Sequence, residues 1–140
     1  MQLTTADHIE IQQLYARYAH AVDGLDSAED FVACWTEDGE HRLYFRAPDF
    51  PRGHDALRER SEAVRAARTR PAHHWNAQVL LTPSPEVATG VSYQLGVLET
   101  GASADLTAPM VYHDDRVEAD GRWLFRRRAL GPRGWDPEAS

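Results

Sequence analysis

A single cysteine, Cys34, in 140 residues excludes an internal disulfide. It sits in "FVACWTEDG", where no neighbour would lower a thiol pKa, so it reads as a small buried hydrophobe and not as a nucleophile. No apolar run approaches the length of a membrane span. The opening "MQLTTADHIEIQQLYARYAH" has neither the basic nor the apolar region of a secretory signal. A membrane is therefore not an expected partner, and the cytoplasm is the expected compartment. Positive charge is scarce too. Fifteen basic against 22 acidic residues leave a net charge of −7, the reverse of a nucleic-acid-binding surface. A glycine-rich phosphate loop, a serine nucleophile elbow, a Cys–His pair and the H-x-H and H-E-x-x-H metal spacings are all missing, so neither a metal nor a cofactor is expected.

What is present is globular: 42% hydrophobic and 26% charged residues, with four Trp and five Tyr. The length suits one domain that buries a core and leaves room for a cavity; we place it at residues 1–130, with a tail at 131–140. Thr4 or Thr5 can cap a helix in which Ile11, Leu14, Tyr15, Tyr18 and Val22 share one face, and Gly24 can end it. Ser27 and Asp30 resemble the capping pair of a second, short helix carrying Phe31, Cys34 and Trp35, broken by "TEDGE". "EHRLYFR" (40–46) alternates like a strand. A third helix is expected from His54 to Ala67, with Leu57 and Val64 inward and "RTRP" as its stop. From His73 the period becomes two, with strands expected at 73–82, 87–99, 109–118 and 122–130, and "ADG" as a tight hairpin signal between the last two. Helices first, then consecutive strands with short links, imply an α+β fold: a cone-shaped barrel of N-terminal helices packed on a curved antiparallel sheet. The open end of such a cone is a natural pocket.

The stretches "LYARYAHAVDGLD" (14–26), "FVACWTEDGE" (31–40), "HHWNAQVLL" (73–81), "ATGVSY" (88–93) and "VEADGRWLFRRRAL" (117–130) together resemble the nuclear transport factor 2-like superfamily. The nearest branch is the SnoaL-like, polyketide-cyclase-like proteins, with scytalone dehydratase and lindane dehydrochlorinase as relatives. The resemblance implies an Asp at the end of the first helix that orients a His general base at the start of a strand. Asp23 matches the Asp. An ungapped count makes the base His73, and a one-residue difference in the loop makes it His74. Arg128 matches an Arg on the last strand. Tyr18 stands where the dehydrochlorinase pattern has a cation, which turns the expectation toward dehydration, isomerisation or cyclisation.

The residues themselves fit that chemistry. An imidazole can accept a proton near neutral pH, and a carboxylate on one ring nitrogen leaves the other free as acceptor. A negative Asp23 at a helix C-terminus has no benefit from the dipole, although an Asp in "DGLD" can also serve a turn. Successive strand residues face opposite ways. His73 would therefore share a face with Trp75 and Ala77, and His74 with Asn76 and Gln78. In the run Arg126–Arg128, Arg126 and Arg128 would share a face, where Arg128 could hold a carboxylate or oxyanion. Tyr15, Trp35, Tyr44, Trp75, Asn76 and Tyr112 are the candidate substrate lining, suited to a hydrophobic, ring-containing small molecule. The expected protein is a cofactor-independent lyase or isomerase, dehydratase- or cyclase-like, acting as a homodimer or homotrimer. Two rivals share the fold: a non-catalytic small-molecule-binding module, and a structural subunit like the β subunit of ring-hydroxylating dioxygenases.

Overall fold

Thr4 starts the first helix, α1 (Thr5–Val22), through a reciprocal capping box: its side chain accepts from the Asp7 N–H, and the Asp7 carboxylate accepts from the Thr4 N–H. Asp23 occupies the C-cap, and Gly24, at φ 83°, supplies the left-handed turn beyond it. The same box, Ser27 with Asp30, opens α2 (Ala28–Val32). The third helix, α3 (His54–Ala67), buries Leu57 and Ser61. Toward its end Arg65 and Arg68 donate to the carbonyls of Ala21 and Val22, the last carbonyls of α1. Two guanidinium groups thus meet the negative end of the α1 dipole and fix the helix terminus from which Asp23 projects.

In the computed structural model, residues 2–24, 26–46, 48–84 and 86–139 are described. The "TPSPE" turn includes Pro85 and "LYARYAHAVDGLD" includes Leu25, both outside them. The strands are β1 (Trp35–Leu43), β2 (Ala72–Pro83), β3 (Ala88–Glu99), β4 (Ala104–Leu106), β5 (Met110–Ala119) and β6 (Arg122–Gly131). They form one sheet in the order β1-β6-β5-β3-β2, with short β4 on β3. The expected four-strand meander is present as the antiparallel pairs β2–β3, β3–β5 and β5–β6. Its last turn, Asp120-Gly121, has both residues at positive φ, as a two-residue hairpin requires.

Three features depart from the expectation. The sheet is mixed and unclosed, because β1 adds to β6 in parallel and β1 and β2 remain edges. "TEDGE" does not end a helix in a loop but lies within β1, which starts at Trp35 and absorbs the extra residues in a register shift between Trp35 and Glu40. The 3-10 turn at Tyr44–Arg46 replaces the end of the expected strand. Two bulges also break the strict period of two. In β2, Gln78 and Val79 both fall opposite Ser92, and Gln78 takes φ 50°. In β6, Arg126 is the extra residue between Phe125 and Arg127.

The helices cover the concave face of the sheet. Between them lies a core of Ile11, Leu14, Tyr15, Tyr18, Phe31, Cys34, Trp35, Leu57, Trp123 and Phe125. Cys34 behaves as expected, with burial pushing its thiol up to about 11. The opposite face of the sheet exposes Trp75 and Tyr93. Past β6 the chain folds back: the Trp135 ring packs against Gly131, where any Cβ would collide with it, and the Pro137 carbonyl accepts from Arg42.

Candidate active site

The C-terminal end of α1 and the beginning of β2 meet across the mouth of the fold. The Asp23 carboxylate receives the His74 ring Nδ1–H at 2.6 Å through Oδ1 and the His74 backbone N–H at 3.1 Å through Oδ2. One carboxylate therefore fixes both the ring and the strand that carries it. This leaves Nε2 as the free ring nitrogen, with a lone pair in the tautomer that the Asp23 bond selects. His74 borders a cavity of about 220 Å³, lined also by Tyr18 and Val22 of α1, Phe31 of α2, His41 and Leu43 of β1, Phe45 of the 3-10 turn, Arg60, Ser61 and Val64 of α3, and Tyr112 and Leu130 of β5 and β6. The walls are mostly apolar and aromatic, with a few convergent polar groups, as small-molecule sites are.

His41, which the sequence did not single out, is the second imidazole of this wall. It is 7% exposed, its Nε2 lies 3.4 Å from the Tyr18 hydroxyl, and its Nδ1 has no partner among the described residues. Burial, with the positive fields of Arg128, Arg60 and any proton on His74, pushes its pKa down to about 3. It is therefore neutral across the physiological range. In "EHRLYFR" the only sign of it was its position at alternating spacing with Leu43, which gives no hint of how deep the strand sits. Tyr18 also lies 3.4 Å from the Tyr112 hydroxyl, and burial pushes both phenols up, so both keep their protons and can donate.

His41 makes a testable contribution to the pH dependence of stability. In the unfolded chain it binds a proton below about 6.5; in the folded protein it does so only near 3. The unfolded state therefore holds more protons in that interval, and stability is lost as pH falls from 6.5 toward 3, by on the order of 3–5 kcal/mol in full. Urea unfolding of the His41→Phe variant at several pH values should show a shallower decline below pH 6.5 than the unaltered protein. Parallel declines would remove His41 from the account.

Several expected site residues lie elsewhere. His73 points away from the cavity and pairs with Glu99 at the surface, because it alternates with His74 along β2. Trp75 follows His73 outward and is 61% exposed. Asn76 shares the His74 face, but it enters the crevice between α1 and β2, and both atoms of its amide are buried without a partner among the described residues. The expected Asn76–Gln78 alternation stops at the bulge, which turns Val79 toward the core in place of Gln78. Trp35 is core, packed behind the cavity wall against Tyr18, His41 and Phe125. Tyr44 sits exposed in the 3-10 turn.

Arg128 is fully buried and does not line the cavity. It lies directly across from Asp114 in the β5–β6 ladder and donates to it through Nε (2.9 Å) and Nη2 (3.0 Å). Its guanidinium is boxed by Tyr112, Tyr18, Phe125 and Tyr15 at 3.6–4.9 Å from the ring centroids. Asp114 also accepts from Tyr15 (2.6 Å) and pairs with Arg116 (3.3 Å), both buried. Tyr15 thus belongs to this ionic cluster and not to the lining. Of the expected lining and helper residues, the fold brings Tyr18, His74 and Tyr112 to one cavity, with Asp23 behind His74. Among the described residues there is no cluster of three or more potential metal ligands, and no helix is long and apolar enough to cross a membrane.

A family profile described as a SnoaL-like domain matches residues 4–129. The chain belongs to the SnoaL-like family. No curated protein is similar enough to this SnoaL-like sequence to count as a match. Among solved structures, it is similar to Rv3472 from Mycobacterium tuberculosis, a protein of unknown function, with 31% identity over 90% of this chain and 71% of that one and a TM-score of 0.78. It is similar to ActVI-ORFA from Streptomyces coelicolor, with 26% identity over 91% and 97% of the two chains and a TM-score of 0.79. A putative scytalone dehydratase from Novosphingobium aromaticivorans shares the fold at 21% identity, over 94% and 95% of the chains, with a TM-score of 0.77. The SnoaL-like architecture, three helices on an open curved sheet, is thus common to proteins with several different names.

Proposed function

We propose that the protein is a cofactor-independent lyase or isomerase of the dehydratase or cyclase type, acting on a hydrophobic ring compound, with His74 as general base and Asp23 as its positioning residue. The observation that carries this reading is the 2.6 Å bond from His74 Nδ1–H to a carboxylate that also anchors the His74 backbone, with the imidazole at the edge of an apolar cavity. An Asp–His pair so held fixes the neutral ring's proton on Nδ1, which leaves the Nε2 lone pair as the acceptor, and stabilises the imidazolium formed when it takes a proton.

In a dehydration, Nε2 removes the proton from the carbon next to a ring carbonyl. The C–H electron pair becomes the new C=C bond as the C–O bond at the β carbon breaks, and the departing hydroxide takes back the proton from the His74 imidazolium to leave as water, which restores Nε2. The Tyr18 and Tyr112 phenols, both held protonated, are the donors suited to the carbonyl and leaving oxygens. With Arg128 committed to Asp114, the electrophilic role expected of Tyr18 and Arg128 together rests on Tyr18, with Tyr112 beside it.

The test needs no knowledge of the natural substrate. Cyclic ketones such as 1-tetralone and 3-hydroxy-1-tetralone are incubated with the protein in D2O and followed by NMR. Deuterium incorporation next to the carbonyl, abolished in His74→Gln, is the expected result. Exchange at an equal rate in His74→Gln would remove the base.

A further inference from the structure

We propose that Arg60 is the anion-recognition residue of this cavity, and that the ligand whose ring fills it carries a carboxylate. The proposal rests on the ring-compound reading above, but not on catalysis.

Arg60 differs from the paired arginines around it. On its own helix, Arg58 is paired with Glu29 and Asp55, and Arg65, with Arg68 just beyond the helix, donates to the end of α1. In the sheet, Arg128 and Arg116 share Asp114, Arg127 pairs with Asp115, and Arg42 and Arg52 share Glu40. Arg60 is half-buried, lines the cavity, and makes no hydrogen bond or ion pair with any described residue. The charged neighbour felt most strongly is Arg46, a second cation that adds to the positive field and does not neutralise it. Arg60 also borders the adjoining outer groove with Asp49 and Glu59, and forms an ion pair with neither.

Among the described residues, the cavity wall holds no Asp or Glu. Asp23, behind His74, is committed to that residue. An apolar chamber with one uncompensated guanidinium favours an anion over a neutral ligand, since a partly desolvated cation gains most from a charge-assisted, two-pronged bond. An apolar cavity of about 150 Å³ can hold benzene; the 220 Å³ here leaves room for a larger ring body. With the carboxylate on Arg60 of α3, that body lies among Phe31, Leu43, Val64 and Leu130, with His74 entering from β2.

The experiment compares 2-naphthoate with 2-naphthamide, which share a ring but not a charge, by calorimetric titration at low and high salt. The unaltered protein should bind naphthoate about tenfold or more tightly than naphthamide, and added salt should narrow the gap. Arg60→Gln should erase the preference, and Arg60→Lys should keep part of it, with circular dichroism matching the unaltered protein in both. Equal affinities, no naphthoate binding, or a preference that survives in folded Arg60→Gln overturns the proposal. The outcomes separate from those of the catalytic reading. Loss of exchange in His74→Gln without any naphthoate preference leaves the base and removes the subsite. The reverse pattern leaves the subsite and removes the base.

Discussion

Replacing Asp23 by Asn is expected to lower kcat on any ketone that the protein turns over by roughly 10²–10⁴-fold while KM changes little. The substitution is nearly isosteric, and the Asn carbonyl can still accept the His74 backbone N–H that now reaches Asp23 at 3.1 Å. What changes is the direction of the ring bond. An amide NH2 facing Nδ1 at 2.6 Å donates where the carboxylate accepted, which forces the imidazole proton onto Nε2. The lone pair that would take the substrate proton is then gone, and no carboxylate remains to stabilise an imidazolium. Steady-state kinetics, with thermal unfolding as the control for folding, give the readout. A folded Asp23→Asn protein with unchanged kcat would remove Asp23 as the positioning residue of the base.

The largest effect on stability is expected at Asp114. This carboxylate is 2% exposed and faces two fully buried guanidinium groups, Arg116 and Arg128, while also accepting from Tyr15. Asp114→Ala leaves two cations buried with no anion, a change that typically costs about 3–5 kcal/mol. For a domain of this size that corresponds to a fall in Tm of roughly 10–20 °C. Removing the charges together, as Asp114→Leu with Arg116→Met and Arg128→Met, should recover much of the loss, because the desolvation of all three groups disappears with them. Calorimetry or urea unfolding of the two variants decides it. A single variant as stable as the parent would mean that water reaches the cluster and solvates the arginines. The cluster also bears on the cavity, since Arg128 stacks 3.6 Å from the Tyr112 ring centroid and 4.3 Å from that of Tyr18.

Much of the architecture was legible because local chemistry marks it. Thr4 with Asp7 and Ser27 with Asp30 are capping boxes in the sequence and in the fold. The span His54–Ala67 is helical as its pattern suggests, and Asp120-Gly121 closes its hairpin. The strand faces were legible only where the alternation is unbroken. His73 and His74 could be placed on opposite faces, but nothing local tells which face looks inward; that depends on which way the whole strand docks against α1. The bulge at Arg126 was hidden for a related reason. One extra residue shifts every later side chain in β6, so Arg126 is exposed while Arg128 is buried against Asp114. His41 and Arg60 carried no local signal, since their meaning comes from depth and from missing partners.

The sequence by itself determined the helices and their caps, the run of antiparallel strands, the family, and a short set of polar residues that could do chemistry, because each is written in spacing or in residues adjacent along the chain. Only the tertiary structure decided that His74 and not His73 meets Asp23, that Arg128 spends its charge on Asp114, and that Arg60 stands in the cavity without a counter-charge. Those outcomes are fixed by register between strands and by the docking of α1 and α3 on the sheet. They are sums of many long-range contacts, and no short stretch of sequence contains them.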